Sequence, residues 1–107
     1  MIAVIFEVEL KPDGKAEYLE IAAELKVLLD ELEGFISIER FQSLADPSRL
    51  LSLSFWEDES AVIAWRNEMS HREAQHKGRA SIFNDYRIRV ADVMRDYGMN
   101  DRSQAPH

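Results

Sequence analysis

No cysteine occurs among the 107 residues. That absence removes a thiol nucleophile, a Cys-ligated zinc, an iron–sulfur cluster and a disulfide framework together. Glycine is scarce too, with four in the chain, at positions 14, 34, 78 and 98. Each stands alone, so neither a GxGxxG turn nor a P-loop can form, and no serine sits in a GxSxG elbow. No recognised motif therefore holds NAD, a flavin or ATP. Long hydrophobic runs are missing as well: nothing approaches the ~20 apolar residues that span a bilayer. The stretch Met1–Leu10 lacks the basic start and small-residue cleavage site of an export signal. The expectation is a cytoplasmic protein with no membrane partner. Positive charge is in short supply, with 13 Lys and Arg against 20 Asp and Glu and a net charge of −7. Residues 1–65 hold five basic and fourteen acidic side chains, and residues 66–107 hold eight and six. An acidic chain repels phosphates, so a nucleic-acid partner is not expected.

What is present suffices for one core. At 46% apolar and 31% charged, the chain matches a single soluble domain, which typically takes ~100–150 residues. We assign residues 1–98 to that domain and 99–107 to a flexible tail with little to bury. Ile2, Val4, Phe6, Val8 and Leu10 line one face of a first strand, and Ala3, Ile5, Glu7 and Glu9 line the other. Pro12-Asp13-Gly14 ends it, and Asp13 or Gly14 is placed to cap a helix. From Lys15 to Leu32 the period becomes helical: Tyr18, Ala22, Leu25, Leu29 and Leu32 form a stripe that Leu19, Ile21 and Leu28 widen. Gly34 sits where a left-handed residue would close that helix.

Phe35–Leu44 and Leu50–Trp56 are expected to form a hairpin around Ala45-Asp46-Pro47-Ser48. Asp58 can cap a second helix through Asn67 that carries Ala61, Val62 and Trp65 inward. Ser70 and Glu73 have capping-box spacing for a further short helix ending near Gly78. A last strand is read over Asp85–Tyr97. The order is β-α-β-β-α-β, an α+β fold with the split βαβ arrangement called ferredoxin-like, its antiparallel sheet carrying helices on one face. Yet the strands are apolar on both faces: Ile5 as well as Phe6, Leu50 as well as Leu51, Val93 as well as Met94. A bare second face would exceed what a monomer leaves in water. The expectation is a homodimer.

Candidate chemistry concentrates in few residues. His71 and His76 are five apart, about 140° around a helix, so they do not share a face, and no HExxH motif occurs; no metal site is expected. Trp65 lies late in the second helix, His71 follows it, and Glu7 sits mid-strand on the less apolar face of the first strand. Phe6, Tyr18, Phe41, Phe55 and Trp56 add aromatic surface. Each has a plain structural reading: Trp65 as core, His71 as a capping residue, Glu7 as a solvated acid or the partner of an arginine. A His and a Glu beside an apolar cavity can also move protons on a phenol-like substrate.

The runs Ser54-Phe55-Trp56-Glu57-Asp58-Glu59-Ser60, Ala64-Trp65-Arg66, His71-Arg72-Glu73-Ala74-Gln75, Gly78-Arg79 and Asp85-Tyr86-Arg87-Ile88-Arg89-Val90 resemble the antibiotic biosynthesis monooxygenase domain. Glu33-Gly34-Phe35 and Phe41-Gln42-Ser43 resemble it too, and the likeness covers about residues 1–98. It implies a dimeric α+β barrel with a pocket between each subunit's sheet and helices. It implies oxidation of a small aromatic or quinol-like molecule without a cofactor. In that scheme His71 is the proton acceptor or hydrogen-bond donor, Glu7 tunes it, and Trp65, Tyr18 and Phe55 contact the substrate. Some members of the family degrade haem. They are similar at Trp65, and His71 or His76 would be the iron ligand here, but they carry asparagine where this chain has Glu7, and an ionised carboxylate cannot donate that amide's hydrogen bond. Haem is thus the alternative cofactor. A small-ligand-binding barrel without catalysis is the alternative function.

Overall fold

Alternation and β-branching make Ile2–Leu10 a strand, β1. The turn after it leads into helix α1, Lys15–Asp30, whose buried residues are Tyr18, Ala22 and Leu29. The inward stripe is narrower than its sequence suggests, since Leu19 is exposed. Strands β2 (Phe35–Gln42) and β3 (Arg49–Trp56) form the hairpin. Helix α2 (Glu59–Gln75) and strand β4 (Phe83–Asp92) follow. This computed structural model describes the backbone of residues 1–75 and 82–106, and the side chains of the same residues except 70–75. The four strands are antiparallel in the order β2-β3-β1-β4. This is the expected β-α-β-β-α-β, ferredoxin-like α+β architecture. Among the described residues no helix is long and apolar enough to cross a membrane.

Several boundaries differ from the sequence reading: α1 stops at Asp30 rather than Leu32, and the last strand begins at Phe83 rather than Asp85. The two helices expected after Asp58 are one, because α2 continues through Ser70 to Gln75. A serine caps only where the backbone leaves helical geometry, and no glycine or proline between 59 and 75 forces it to leave. Asp58 does act as expected, its Oδ1 accepting the Ala61 N–H at 3.0 Å. The last strand stops at Asp92 rather than Tyr97, because Asp92 pairs with Ile2, where its neighbour β1 begins. Val93 donates to the Met1 carbonyl at 3.0 Å. Leu44 lies outside β2, within a loop that Ser43 and Asp46 close by hydrogen bonds. Ser43 Oγ accepts from the Ala45 and Asp46 N–H groups, and Asp46 Oδ1 accepts from the Ser48 N–H and hydroxyl.

Helix α1 ends at Asp30 with Glu31 as its C-cap, and Gly34 then adopts φ 88° to turn into β2. Its carbonyl accepts the Glu57 N–H at 2.8 Å, which ties this turn to the end of β3. A Cβ at Gly34 would stand 2.7 Å from the Ala61 Cβ of α2, so the turn and the seating of α2 both depend on glycine. We therefore expect Gly34→Ala to cost about 1–3 kcal/mol in urea unfolding. Adding Ala61→Gly should relieve the clash but not the backbone strain, so recovery should be partial. Full recovery would refute the strain. The Ser48 hydrogen bonds, side chain before backbone, hold the Asp46 carboxyl below its ordinary 3.8. The loop's contribution from a depressed acid is complete above the ordinary value and is lost as pH falls through the lower, folded one. Carboxyl-carbon NMR should place the Asp46 midpoint below 3.8, and Ser48→Ala should raise it.

Candidate active site

Residues opposite one another in an antiparallel sheet point to the same side, so the register sorts the sheet into rows. On the side covered by the helices, Gln42, Leu50, Val8 and Tyr86 form one row. Arg40, Ser52, Phe6 and Ile88 form the next, followed by Ile38, Ser54, Val4 and Val90. Phe35, Trp56, Ile2 and Asp92 complete the face. The helices cover these rows with two separate cores. Val8, Leu10, Tyr18, Leu50 and Ile82 make the first, with Phe6, Ile21 and Phe83 against it. Leu29, Trp56 and Val62 make the second, joined by Val4, Ile38 and Trp65 among others. The row of Arg40 and Ser52 lies at the boundary between the two.

That boundary is polar where a core is usually apolar. Ser52 and Ser54 are buried. Ser54 Oγ accepts the Trp56 indole N–H at 2.9 Å, which satisfies the one polar atom of a ring that is only 1% exposed. The Trp65 ring tilts against Trp56 with centroids 6.4 Å apart. Arg40 is half-buried, whereas every other lysine and arginine with a described side chain is exposed. Its Nε is buried without a hydrogen-bond partner among the described residues. An open cleft of about 490 Å³ lined by Met1, Val93, Met94, Arg95, Asp96 and Gln104 lies where the chain leaves β4, away from both cores.

The residues singled out in the sequence do not all meet here. Tyr18 belongs to the first core, with its ring edge-on to Phe83 at 6.0 Å. Trp65 packs against the second. Glu7 and Phe55 project from the opposite face of the sheet, because Glu7 pairs with Leu51 and Phe55 with Ala3. Glu7 there forms an ion pair with Arg89 at 3.1 Å, one of the plain readings of that acid. Because side chains alternate across a strand, Glu7 and Phe55 face away from Tyr18 and Trp65, which pack on the helix side. His71 lies in α2, but its side chain is outside the described residues, as is the whole of His76. The haem reading needs one of those two histidines, and its first-strand position, Glu7, faces away from the helices. The side chains of both candidate iron ligands of that reading thus lie outside the described residues. Among the described residues no cluster of potential metal ligands occurs.

Arg40 was not visible as a site residue. Plain alternation from Phe35 would send Ser37, Glu39 and Phe41 inward and Arg40 to solvent. A bulge between Phe35 and Ser37 reverses that phase, so Phe35 pairs with Trp56 and Ile38 with Ser54. Arg40 then faces Ser52 under the helices.

Comparison with known proteins bears on this arrangement. The family model described as antibiotic biosynthesis monooxygenase matches residues 1–77. The chain belongs to the antibiotic biosynthesis monooxygenase family. It is 42% identical over 101 residues to the jasmonate monooxygenase ABM of Pyricularia oryzae (strain 70-15), covering 94% of this chain and 47% of that protein. The chain thus spans about half the length of that relative. It is 33% identical over 93 residues to an uncharacterised protein of Bacillus subtilis (strain 168), covering 87% and 79% of the two chains. The fold is shared with a Mycobacterium tuberculosis structure at a TM-score of 0.76 and 13% identity, covering 91% of this chain and 98% of that one. A conserved protein of Methanosarcina mazei Go1 matches at a TM-score of 0.71 and 21% identity, over 84% and 89%.

The Trp56–Ser54 bond gives this family member a local test. Ser54→Ala strands a buried indole donor and should cost about 1–3 kcal/mol, with a shift in tryptophan emission. An unchanged unfolding midpoint would mean that the indole finds another acceptor.

Proposed function

We propose that this chain is a homodimeric monooxygenase that oxidises a small aromatic or quinol-like molecule between its sheet and helices, without a resident cofactor, in the cytoplasm. Family membership supports the reaction class. The observation that supports the location is the polar row of Arg40 and Ser52, which lies between the two apolar cores of the helix-covered face. In the proposed reaction a methylene flanked by carbanion-stabilising groups loses a proton to a base. It then passes an electron to O2, combines with the reduced oxygen to give a hydroperoxide, and loses water to leave a ketone. One oxygen atom enters the product and the other leaves as water, and the substrate supplies every electron. The protein has to orient the substrate, keep water out and accept the proton. We assign the last task to His71 and one wall of the chamber to Trp65.

The homodimer is supported by surface that the protomer leaves bare. On the face away from the helices, Ile5, Leu51, Leu53 and Phe55 are only half-buried and Phe41 is 45% exposed. On β4, Tyr86, Ile88 and Val90 are between 49% and 59% exposed, beyond the cover of α1 and α2. The Cα radius of gyration, 15.4 Å, exceeds the ~13 Å of a compact chain of about this length. A second copy would cover these residues, and Glu7 with Arg89 would then belong to the subunit interface rather than to the substrate.

Two experiments test this reading. Sedimentation should give a dimer, and Leu53→Asp should convert it to monomer; a wild-type monomer at micromolar concentration would overturn the assembly. Oxygen uptake with an anthrone should fall by roughly 10²–10⁴ in His71→Ala while the dimer persists. Equal rates would remove His71 from the reaction. Saturable anthrone binding with no uptake would favour a ligand-binding role, and a stoichiometric Soret band on titration with haem would favour the haem-degrading branch.

A further inference from the structure

On the helix-covered face an arginine Nε, buried with no partner among the described residues, asks for an anion. A charged group with a buried N–H and no acceptor is destabilising by itself, because desolvation is not offset by a hydrogen bond. Arg40 is in that position, alone among the described basic side chains in not being exposed. Beside it on the sheet is Ser52, whose residue is buried and shares its row. Apolar side chains flank the pair: Phe6 in the same row, and Ile38 one row nearer to Trp65. A guanidinium presents a planar fork of donors that fits a carboxylate, and a hydroxyl beside it can donate a further hydrogen bond. In a chain of net charge −7, an anionic ligand is repelled at long range unless a dedicated cation receives it.

From this geometry we propose that Arg40 is the substrate's anion anchor, so that the chamber takes a small monocarboxylate whose apolar body lies toward Trp65. The inference deepens the functional reading above and rests on its placement of the substrate. It narrows the substrate from any apolar aromatic to an apolar acid. It also explains a polar row that would otherwise weaken the core: the local conflict is resolved when the ligand arrives. Arg40 here binds and orients; it takes no part in proton transfer.

Calorimetric titration with 1-naphthylacetate and cyclopentylacetate, each against its primary amide, separates charge from shape. The wild type should bind each acid at least tenfold more tightly than its amide. Arg40→Met should abolish that preference, changing amide binding less than twofold. Arg40→Lys should restore only part of it, since the ammonium keeps the charge and loses the fork. Because the buried Nε has no partner among the described residues to lose, Arg40→Met should melt at the same or a higher temperature than the wild type. A lower melting temperature together with unchanged acid binding would make Arg40 a structural residue and overturn the proposal. Amides that bind as well as or better than the acids would also overturn it, while leaving the chamber itself intact. Failure of all four compounds to bind the wild type at millimolar concentration would overturn both the anchor and the chamber. Tight acid binding that depends on Arg40, with no oxygen uptake from any substrate, would uphold the anchor and defeat only the oxidation.

Discussion

A four-stranded antiparallel sheet that is apolar on both faces, with helices to cover only one, sets the terms for this protein. The alternation of side chains across a strand is strict, so each residue is committed to the helix side or to the other side by its register. On the helix side, Trp56, Leu29 and Val8 are almost wholly removed from water. On the other side the leucines of β3 remain half-buried. At roughly 25 cal/mol per Å² of apolar surface, the uncovered face is a reserve of association energy, reduced by the entropy lost on docking. Both the proposed chamber and the proposed assembly are argued from that one asymmetry.

The helix-covered face is itself divided. A single continuous core would be the more stable arrangement, yet the clusters around Tyr18 and around Trp56 are distinct. The row between them carries an arginine whose Nε has no partner among the described residues. Natural sequences break local rules chiefly at functional sites, and the cost is carried by good packing elsewhere. Here the compensation is visible in the satisfied indole of Trp56 and in the edge-to-face rings of Phe6, Phe83 and Tyr86. Comparison structures at 13% and 21% identity keep the same fold, which shows that the scaffold tolerates wide changes of sequence. In the proposed function, specificity resides in the few side chains that line the proposed chamber rather than in the scaffold.

Much of this was legible in the chain. Element order, the inward stripe of Tyr18, Ala22 and Leu29, the cap at Asp58 and the turn at Gly34 follow from periodicity and local backbone chemistry. These depend on residues near one another in sequence. Where an element ended because of its neighbour, the sequence was silent. The end of β4 depends on where β1 begins, and the continuity of α2 past Ser70 depends on a capping signal left unused. The candidate site was legible only in part, since Trp65 and Tyr18 face the helix side while Glu7 and Phe55 do not.

The sequence by itself determined the strands and helices, the family likeness and the two apolar faces, because hydrophobic period and turn residues act over a few positions. Only the tertiary structure decided which residues share a face. One extra residue in β2 shifts the phase of that strand, turning Arg40 under the helices and Phe41 away from them. A bulge is fixed by pairing with the strand alongside, and that pairing joins residues too far apart in the chain for any local pattern to report.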